Sequence, residues 1–288
     1  MLHNSAEKQI TNKLNILGKE ICKKKLNKIK DLQLEFIAKS IVTIKMVLQN
    51  ELINTSLDLC ELFGYEIQYN NKMHSIPPNG LIIISNHIGL NKLTKINHKL
   101  IIQKLTSIGG KNKIEQVQPL LNDDPFLLLF APLIVVAKKL SKSNNIKIIL
   151  ICTKFPEPYS NIIKKSGGII LDPTIENQYK KLLHSARKKV TECLQNSQIP
   201  VFIMFPEGGT SGKTNNDSPY SLLNFKTGYA RLSRDLTINS LPVVVSLNQQ
   251  SKLDITILKT VSHSEIYDVN TIRSKMQSII DKITCAKK

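Results

Sequence analysis

Runs of large apolar residues divide the middle and C-terminal parts of the chain into short segments separated by glycine, proline and polar residues. The clearest run, Leu81–Ile84, follows Pro77-Pro78-Asn79-Gly80 and ends at Ser85-Asn86-His87. Because a half-exposed strand alternates apolar and polar residues, this unbroken run predicts a strand buried on both faces. Similar runs predict further strands at 146–151, 167–172, 200–205, 241–247 and 253–258, and shorter extended segments begin after Gly64.

Apolar residues at helical spacing predict helices between these strands, at 175–195, 225–236 and 270–283. Another begins near Asp124-Pro125, with aspartate as the N-cap and proline at the first helical position. Strands that alternate with helices indicate an α/β fold with a mostly parallel central sheet flanked by helices. We predict an N-terminal basic helical segment at 1–63 and an α/β domain at 64–288, in which 88–123 form an inserted helix and loop.

The charge balance changes the set of expected partners. Forty Lys and Arg against 22 Asp and Glu give a formal net charge of +18, which predicts attraction to nucleic acid, an anionic membrane surface or phosphorylated and CoA-like substrates. Only four of the forty are Arg, aromatic residues make up 5% and Trp is absent, so we expect no nucleic-acid partner. The basic stretch 22–30 fits a helix that lies on an anionic bilayer and equally fits a water-facing helix packed on the α/β domain.

Cysteine usage and hydropathy indicate the compartment. The five cysteines are scattered and odd in number, which favours free thiols in a reducing compartment and no metal site. No apolar run approaches the roughly 18 residues of a membrane-spanning helix, and the N-terminus lacks the features of a signal peptide. We expect a cytoplasmic protein, either soluble or attached to the inner face of the membrane.

Three predicted strands end in segments that suit chemistry, namely Asn86-His87, Leu171-Asp172 and Pro206-Glu207-Gly208-Gly209-Thr210. In an open α/β sheet, ligands bind at the carboxyl ends of the strands, so an imidazole there is well placed for proton transfer. Glycines let backbone amides approach a ligand, and a nearby Lys213 or Lys226 would suit a phosphate. Each residue also has a plainer interpretation: His87 fits a surface loop histidine, and Glu207 fits an N-cap or a lysine partner.

Taken in this order, the segments resemble four sequence blocks of the glycerolipid acyltransferase family. These enzymes use acyl-CoA or acyl-carrier protein to acylate glycerol-3-phosphate or lysophosphatidic acid. The resemblance covers roughly residues 64 to 260, and Phe225-Lys226-Thr227-Gly228 is similar to the Phe-Lys-x-Gly that follows the third block. The matching blocks are Ser85-Asn86-His87, Gly168–Asp172, Phe205–Ser211 (similar to Phe-Pro-Glu-Gly-Thr-Arg-Ser) and Leu241–Val245.

The first block departs from the family pattern, because Lys92 stands where the family has aspartate. However, Asp124-Pro125-Phe126-Leu127-Leu128 resembles the Asp-Pro-Phe-Leu-Leu that carries this aspartate. We therefore interpret 88–123 as an insertion between the two halves of the motif. The ends of such an insertion can still meet, since loop-closure entropy grows slowly with length. Asp124 is the expected partner of His87, and Asp123 is the alternative.

Two arginines associated with the acceptor phosphate in the family are also replaced. Pro173 stands at the first position and Gly209-Thr210 at the second, so phosphate recognition would fall to Lys213, Lys226 or Arg231. The resemblance implies His87 as general base oriented by Asp124, with a substrate site that includes Glu207, Gly208, Gly209, Thr210, Lys213 and Lys226. It implies no metal and no cofactor, with the acyl thioester as co-substrate. The alternative is a catalytically degenerate homologue that binds lipid or membrane.

Overall fold

The computed structural model describes residues 53–54, 56–57, 60–61, 65–69, 75–87, 126–141, 145–153, 160, 163–164, 166–172, 177–208, 220–247, 253–266 and 268–285. Most of the predicted N-terminal segment 1–63, the predicted insertion 88–123, and both Asp123 and Asp124 lie outside this set.

A single seven-stranded sheet forms the centre of the described structure, in the order β1-β7-β6-β2-β5-β3-β4. Strands β2 to β6 run parallel to one another, β7 is antiparallel to β6, and β1 pairs in parallel with β7. The prediction of a mostly parallel sheet is confirmed. The strands are β1 Tyr65–Tyr69, β2 Leu81–Ser85, β3 Ile146–Thr153, β4 Ile169–Leu171, β5 Ile199–Met204, β6 Ser240–Leu247 and β7 Leu253–Ile257.

Four helices of the described residues flank this sheet, and they confirm the alternation of strands and helices. Three of them match helices predicted from apolar spacing, and the fourth starts directly after Asp124-Pro125. None of the four is long and apolar enough to cross a membrane. The helices are α1 Phe126–Leu140, α2 Gln178–Gln195, α3 Gly228–Leu236 and α4 Val269–Cys285.

Strand β2 is central in the sheet, and all five of its residues are buried. Successive side chains of a strand point to opposite faces, so Leu81 and Ile83 enter one core cluster whereas Ile82 and Ile84 enter the other. Both clusters are apolar. The unbroken apolar run read from the sequence is therefore the signature of a strand covered on both sides.

The two faces of the sheet are covered by helices of different character. Helix α1 belongs to the first core cluster, and every side chain from Phe130 to Ala137 is buried. Helices α2, α3 and α4 cover the second cluster and keep a polar outer face. A helical stretch that is apolar on every side is buried on every side, which explains why residues 130–137 form an apolar block in the sequence whereas the other three helices have an amphipathic pattern.

Candidate active site

His87 lies two residues beyond the end of β2, at the carboxyl edge of the parallel strands. Strand β5 runs beside β2 with Ile84 opposite Met204, so the same offset places His87 level with Glu207. Two of the three predicted strand ends are therefore direct neighbours. The sheet brings the Asn-His segment and the Pro-Glu-Gly segment to one place.

The carboxylate of Glu207 joins these two segments. Its Oε1 accepts a hydrogen bond from the backbone amide of His87 at 2.8 Å, and its Oε2 accepts one from the amide of Leu223 at 2.7 Å. Only 3% of Glu207 is exposed. Burying a carboxylate is costly unless it is hydrogen-bonded, and charge-assisted bonds of this kind are among the stronger ones in proteins. Glu207 therefore fixes the backbone of His87.

The side chain of Asn86 fixes the other flank of the same strand end. Its Nδ2 donates to the carbonyl of Val245 and its Oδ1 accepts from the amide of Val245, both at 2.9 Å. An amide side chain with one donor and one acceptor can stand in for a backbone peptide. Asn86 therefore extends the pairing of β2 with β6 by one step, immediately before His87.

Aromatic packing holds the His87 ring. The ring contacts Phe205 edge-on, with centroids 5.2 Å apart and planes at 65°, and its Nδ1 atom is buried. Phe205 in turn contacts Phe130 of α1 in the same geometry at 5.1 Å. Edge-to-face pairs at such distances are favourable. The row of rings links His87 to the N-terminal half of α1, the helix that begins two residues after Asp124.

The turn after β5 requires glycine at position 208. Gly208 has φ +63°, and a Cβ built there would lie 2.7 Å from Nζ of Lys226. The Gly208 amide donates to the carbonyl of Phe205 at 3.2 Å, and the Lys226 amide donates to that of Pro206 at 2.8 Å. The turn therefore places the Lys226 ammonium directly over the backbone of Gly208. Gly209, Thr210 and Lys213, which the sequence also predicts in this site, lie outside the described residues.

Two further residues considered in the sequence analysis, Asp172 and Arg231, lie in other parts of the structure. Asp172 follows β4 at the edge of the sheet, with β3 and β5 between it and β2. Arg231 of α3 stacks on the ring of Tyr179 of α2, with 4.0 Å between the guanidinium carbon and the ring centroid. The Tyr179 hydroxyl donates to Asp235 at 2.6 Å. Burial raises the pKa of Tyr179, and this hydrogen bond raises it further. Arg231 thus takes part in the contact between α2 and α3.

How His87 is held is not among the sequence predictions. They single out Asn86 only as the neighbour of His87, and they do not include the hydrogen bond that the His87 amide donates to Glu207. A usable signal existed for Asn86, because a buried polar residue directly after an apolar strand needs hydrogen-bond partners. No signal in the sequence identifies Val245 as the partner of Asn86 or Leu223 as a partner of Glu207, since both contribute only backbone atoms.

Comparisons with known proteins indicate what this domain is similar to. No curated protein matches the chain. Among solved structures, the chain is similar to the crystal structure of the 1-acyl-sn-glycerophosphate (LPA) acyltransferase PlsC from Thermotoga maritima, with 15% identity and a TM-score of 0.41 over 91% of this chain and 84% of that one. The family model described as Acyltransferase matches residues 133–246, which include the second, third and fourth sequence blocks and exclude His87 and Asp124. The similarity to the acyltransferase family therefore extends over residues 133–246, from helix α1 to strand β6.

Proposed function

We propose that this acyltransferase moves a fatty acyl chain from an acyl thioester, acyl-CoA or acyl-carrier protein, to a hydroxyl of a glycerol-phosphate or lysophospholipid acceptor. The observation that carries the proposal is the hydrogen bond from the His87 amide to Glu207. It joins the histidine to the Phe-Pro-Glu-Gly turn at the carboxyl edge of the sheet, where ligands of open α/β sheets bind. A general base and a glycine turn with a nearby lysine are the parts that acyl transfer to a phosphorylated alcohol needs.

In the proposed reaction, His87 acts as a general base. Its Nε2 takes the proton of the acceptor hydroxyl while the hydroxyl oxygen attacks the thioester carbonyl. The resulting tetrahedral intermediate collapses, the carbon–sulfur bond breaks, and the leaving thiolate takes the proton from the imidazolium. Positioned proton transfer of this kind contributes roughly 10²–10⁴-fold, and the reaction needs no covalent acyl-enzyme.

We assign the carboxylate partner of His87 to Asp124, on the Nδ1 side of the ring. Two observations support this assignment: α1 begins at Phe126, and Phe130 of the same helix reaches the His87 ring through Phe205. Four helical residues rise about 6 Å, so the helix start lies within a short distance of this row of rings. A carboxylate there would fix the tautomer of His87 and stabilise the imidazolium.

We assign the acceptor phosphate to Lys226, whose ammonium lies over Gly208. Lysine is a point charge that attracts phosphate without the two-pronged geometry of arginine. Gly209, Thr210 and Lys213 follow in the chain and complete the proposed substrate site. We further propose that the basic N-terminal segment attracts an anionic membrane surface on the cytoplasmic side, which would place the enzyme next to its lipid acceptor.

The test is an acyl-transfer assay with purified protein. Thiol release and product formation would be measured with acyl-CoA and with acyl-carrier protein, each with glycerol-3-phosphate, lysophosphatidic acid or no acceptor. We expect acceptor-dependent product from the wild type and none above background from His87→Ala. Asp124→Asn should lose most of the rate and Asp123→Asn little of it. A folded His87→Ala variant that keeps the wild-type rate would contradict the mechanism.

Sequence features also favour a second candidate, a catalytically degenerate homologue that binds lipid or membrane. Lys92 in place of aspartate, and Pro173 and Gly209-Thr210 in place of the two arginines, are the changes that motivate it. This protein would bind vesicles that contain anionic lipid and yet form no product with any donor and acceptor pair. Product formation in the assay above excludes it.

A further inference from the structure

We propose that Arg273 and Gln277 of helix α4 are positioning residues for His87. They act through the segment Tyr220–Leu223, which reaches Glu207 and, through Glu207, the histidine backbone. This path of hydrogen bonds, from α4 through Tyr220–Leu223 and Glu207 to the His87 backbone, is a feature of the structure. Its effect on the reaction rests on the function proposed above.

Arg273 binds two successive carbonyl groups of this segment. Its Nε donates to the carbonyl of Leu223 at 2.8 Å, and its Nη2 donates to the carbonyl of Leu222 at 2.5 Å. The guanidinium is planar and presents its donors in a fixed fork, so two bonds from one side chain set the orientation of the segment as well as its distance. A lysine ammonium lacks this planar fork, so it would not fix both carbonyl groups in the same geometry.

Gln277, one helical turn further along α4, also binds backbone groups of this segment. Its Oε1 accepts from the amide of Leu222 at 2.8 Å, and its Nε2 donates to the carbonyl of Tyr220 at 3.1 Å. Residues four apart on a helix lie on one face, so Arg273 and Gln277 form one binding edge. Together they make four hydrogen bonds to backbone atoms of three residues, Tyr220, Leu222 and Leu223.

The peptide group between Leu222 and Leu223 connects this edge to the active site. Its carbonyl oxygen accepts from the Arg273 guanidinium, and its N–H donates to Glu207. A cation on the oxygen of a peptide draws electron density from its nitrogen and strengthens the hydrogen bond that the N–H donates, since linked hydrogen bonds polarise one another. The result is a chain of charge-assisted bonds that runs from Arg273 through one peptide to Glu207 and then to the His87 amide.

The segment depends on these side chains for its position. Residues 221–226 belong to no helix or strand, so neighbouring strands give them no ladder of hydrogen bonds. Leu222 and Phe225 anchor these residues in the core. The hydrogen bonds from α4 fix the peptide group between Leu222 and Leu223. Small displacements matter for catalysis, because a shift of about 1 Å at a reacting group can cost on the order of 100-fold in rate.

The experiment compares Arg273→Gln with Lys275→Gln. Both changes remove one positive charge from α4, and Lys275 is exposed on the same helix, so only the contacts to the segment differ. The first readout is hydrogen–deuterium exchange of the Leu223 and His87 amides in the folded protein. We expect exchange to become faster by about tenfold in Arg273→Gln, which corresponds to the loss of roughly one hydrogen bond, and to stay unchanged in Lys275→Gln.

The second readout is the steady-state rate of acyl transfer. We expect Arg273→Gln to lower kcat by about tenfold with KM within about a factor of two, because a displaced base affects the chemical step more than substrate binding. Arg273→Lys should recover part of the loss. If the path is continuous, Glu207→Gln combined with Arg273→Gln should lose less than the two single effects multiplied together, since coupled residues are not additive.

Several outcomes overturn the proposal, and they differ from those that overturn the proposed function. Unchanged exchange at His87 in Arg273→Gln breaks the path, whether or not the protein transfers acyl groups. A kcat equal to that of Lys275→Gln removes the positioning role while acyl transfer itself stands. Should Arg273→Gln fail to fold, Arg273→Lys and Gln277→Leu replace it, and wild-type exchange and kcat in both of these variants would reject the inference.

Discussion

The ends of β2 and β4 look alike in the sequence and differ in the structure. Each is an apolar run followed by polar residues, Ser85-Asn86-His87 in one case and Asp172 in the other. Strand β2 is central, with β6 on one side and β5 on the other, whereas β4 is an edge strand whose one partner among the described strands is β3. The comparison shows that strand order, and not the local pattern, decides which strand ends lie next to each other in the candidate site.

The reason lies in what each neighbour contributes. At the end of β2, strand β6 supplies the backbone of Val245 to Asn86, and the turn after β5 supplies Glu207 to the His87 amide. Strand β4 is three interstrand steps from β2, which is roughly 14 Å at about 4.8 Å per step. Asp172 therefore lies too far along the edge for a direct contact with His87.

The largest expected effect follows from removing the imidazole. His87→Ala should lower kcat for acyl transfer by about 10²–10⁴-fold, because the hydroxyl would attack without a general base. The backbone amide that binds Glu207 remains, so we expect the thermal midpoint Tm to stay within a few degrees of wild type. Circular dichroism and thermal unfolding check the fold. A rate within tenfold of wild type would remove His87 from the reaction.

The next effect tests how His87 is held. Glu207→Gln keeps the shape of the side chain but replaces one acceptor oxygen with an NH₂ group that faces a backbone N–H. A buried donor left without its partner costs about 1–3 kcal/mol, so we expect a lower Tm together with a fall in kcat of roughly 10- to 100-fold. Steady-state kinetics and thermal unfolding measure both. Unchanged kcat in the presence of a lowered Tm would make Glu207 purely structural.

A smaller effect is expected at the opposite flank of β2. Asn86→Ala removes the side chain that pairs with both backbone groups of Val245 and leaves them buried. We expect destabilisation by about 1–3 kcal/mol and a fall in kcat of about tenfold, since Glu207 still holds the next residue. Urea unfolding and kinetics give the two values. Asn86→Asp separates the two bonds, because it keeps the acceptor for the Val245 amide but turns a buried carboxylate oxygen toward the Val245 carbonyl. We expect it to be at least as destabilising as Asn86→Ala.

Much of the fold could be predicted because its elements carry their own patterns. The unbroken apolar runs predicted β2, β3, β5 and β6, and helical spacing predicted α2, α3 and α4 close to their observed bounds. Sheet order could not be predicted in this way. The antiparallel direction of β7 and the position of β1 beside it depend on contacts between distant parts of the chain, and residue patterns along one strand do not encode those contacts.

The candidate site was predicted in part for the same reason. His87 and Glu207 stood out because they interrupt or follow apolar runs, and the parallel sheet then brought them together. The bonds that hold them in place use backbone atoms of Val245 and Leu223, whose side chains give no indication of the contact. Arg273 and Gln277 lie within an ordinary amphipathic helix, so only the packing of α4 against the segment before α3 shows what they bind.

The smallest expected effect completes the comparison of strand ends. Asp172→Asn removes the charge at the end of β4, which is half-buried at the sheet edge, and we expect kcat and KM to stay within about a factor of two of wild type. At roughly 14 Å, beyond the Debye length of about 8 Å at physiological ionic strength, an interaction with the reacting groups would be largely screened by salt. Kinetics at low and physiological salt check this directly. A tenfold loss at both salt concentrations would place Asp172 in the substrate site and extend that site along the carboxyl edge from β2 to β4.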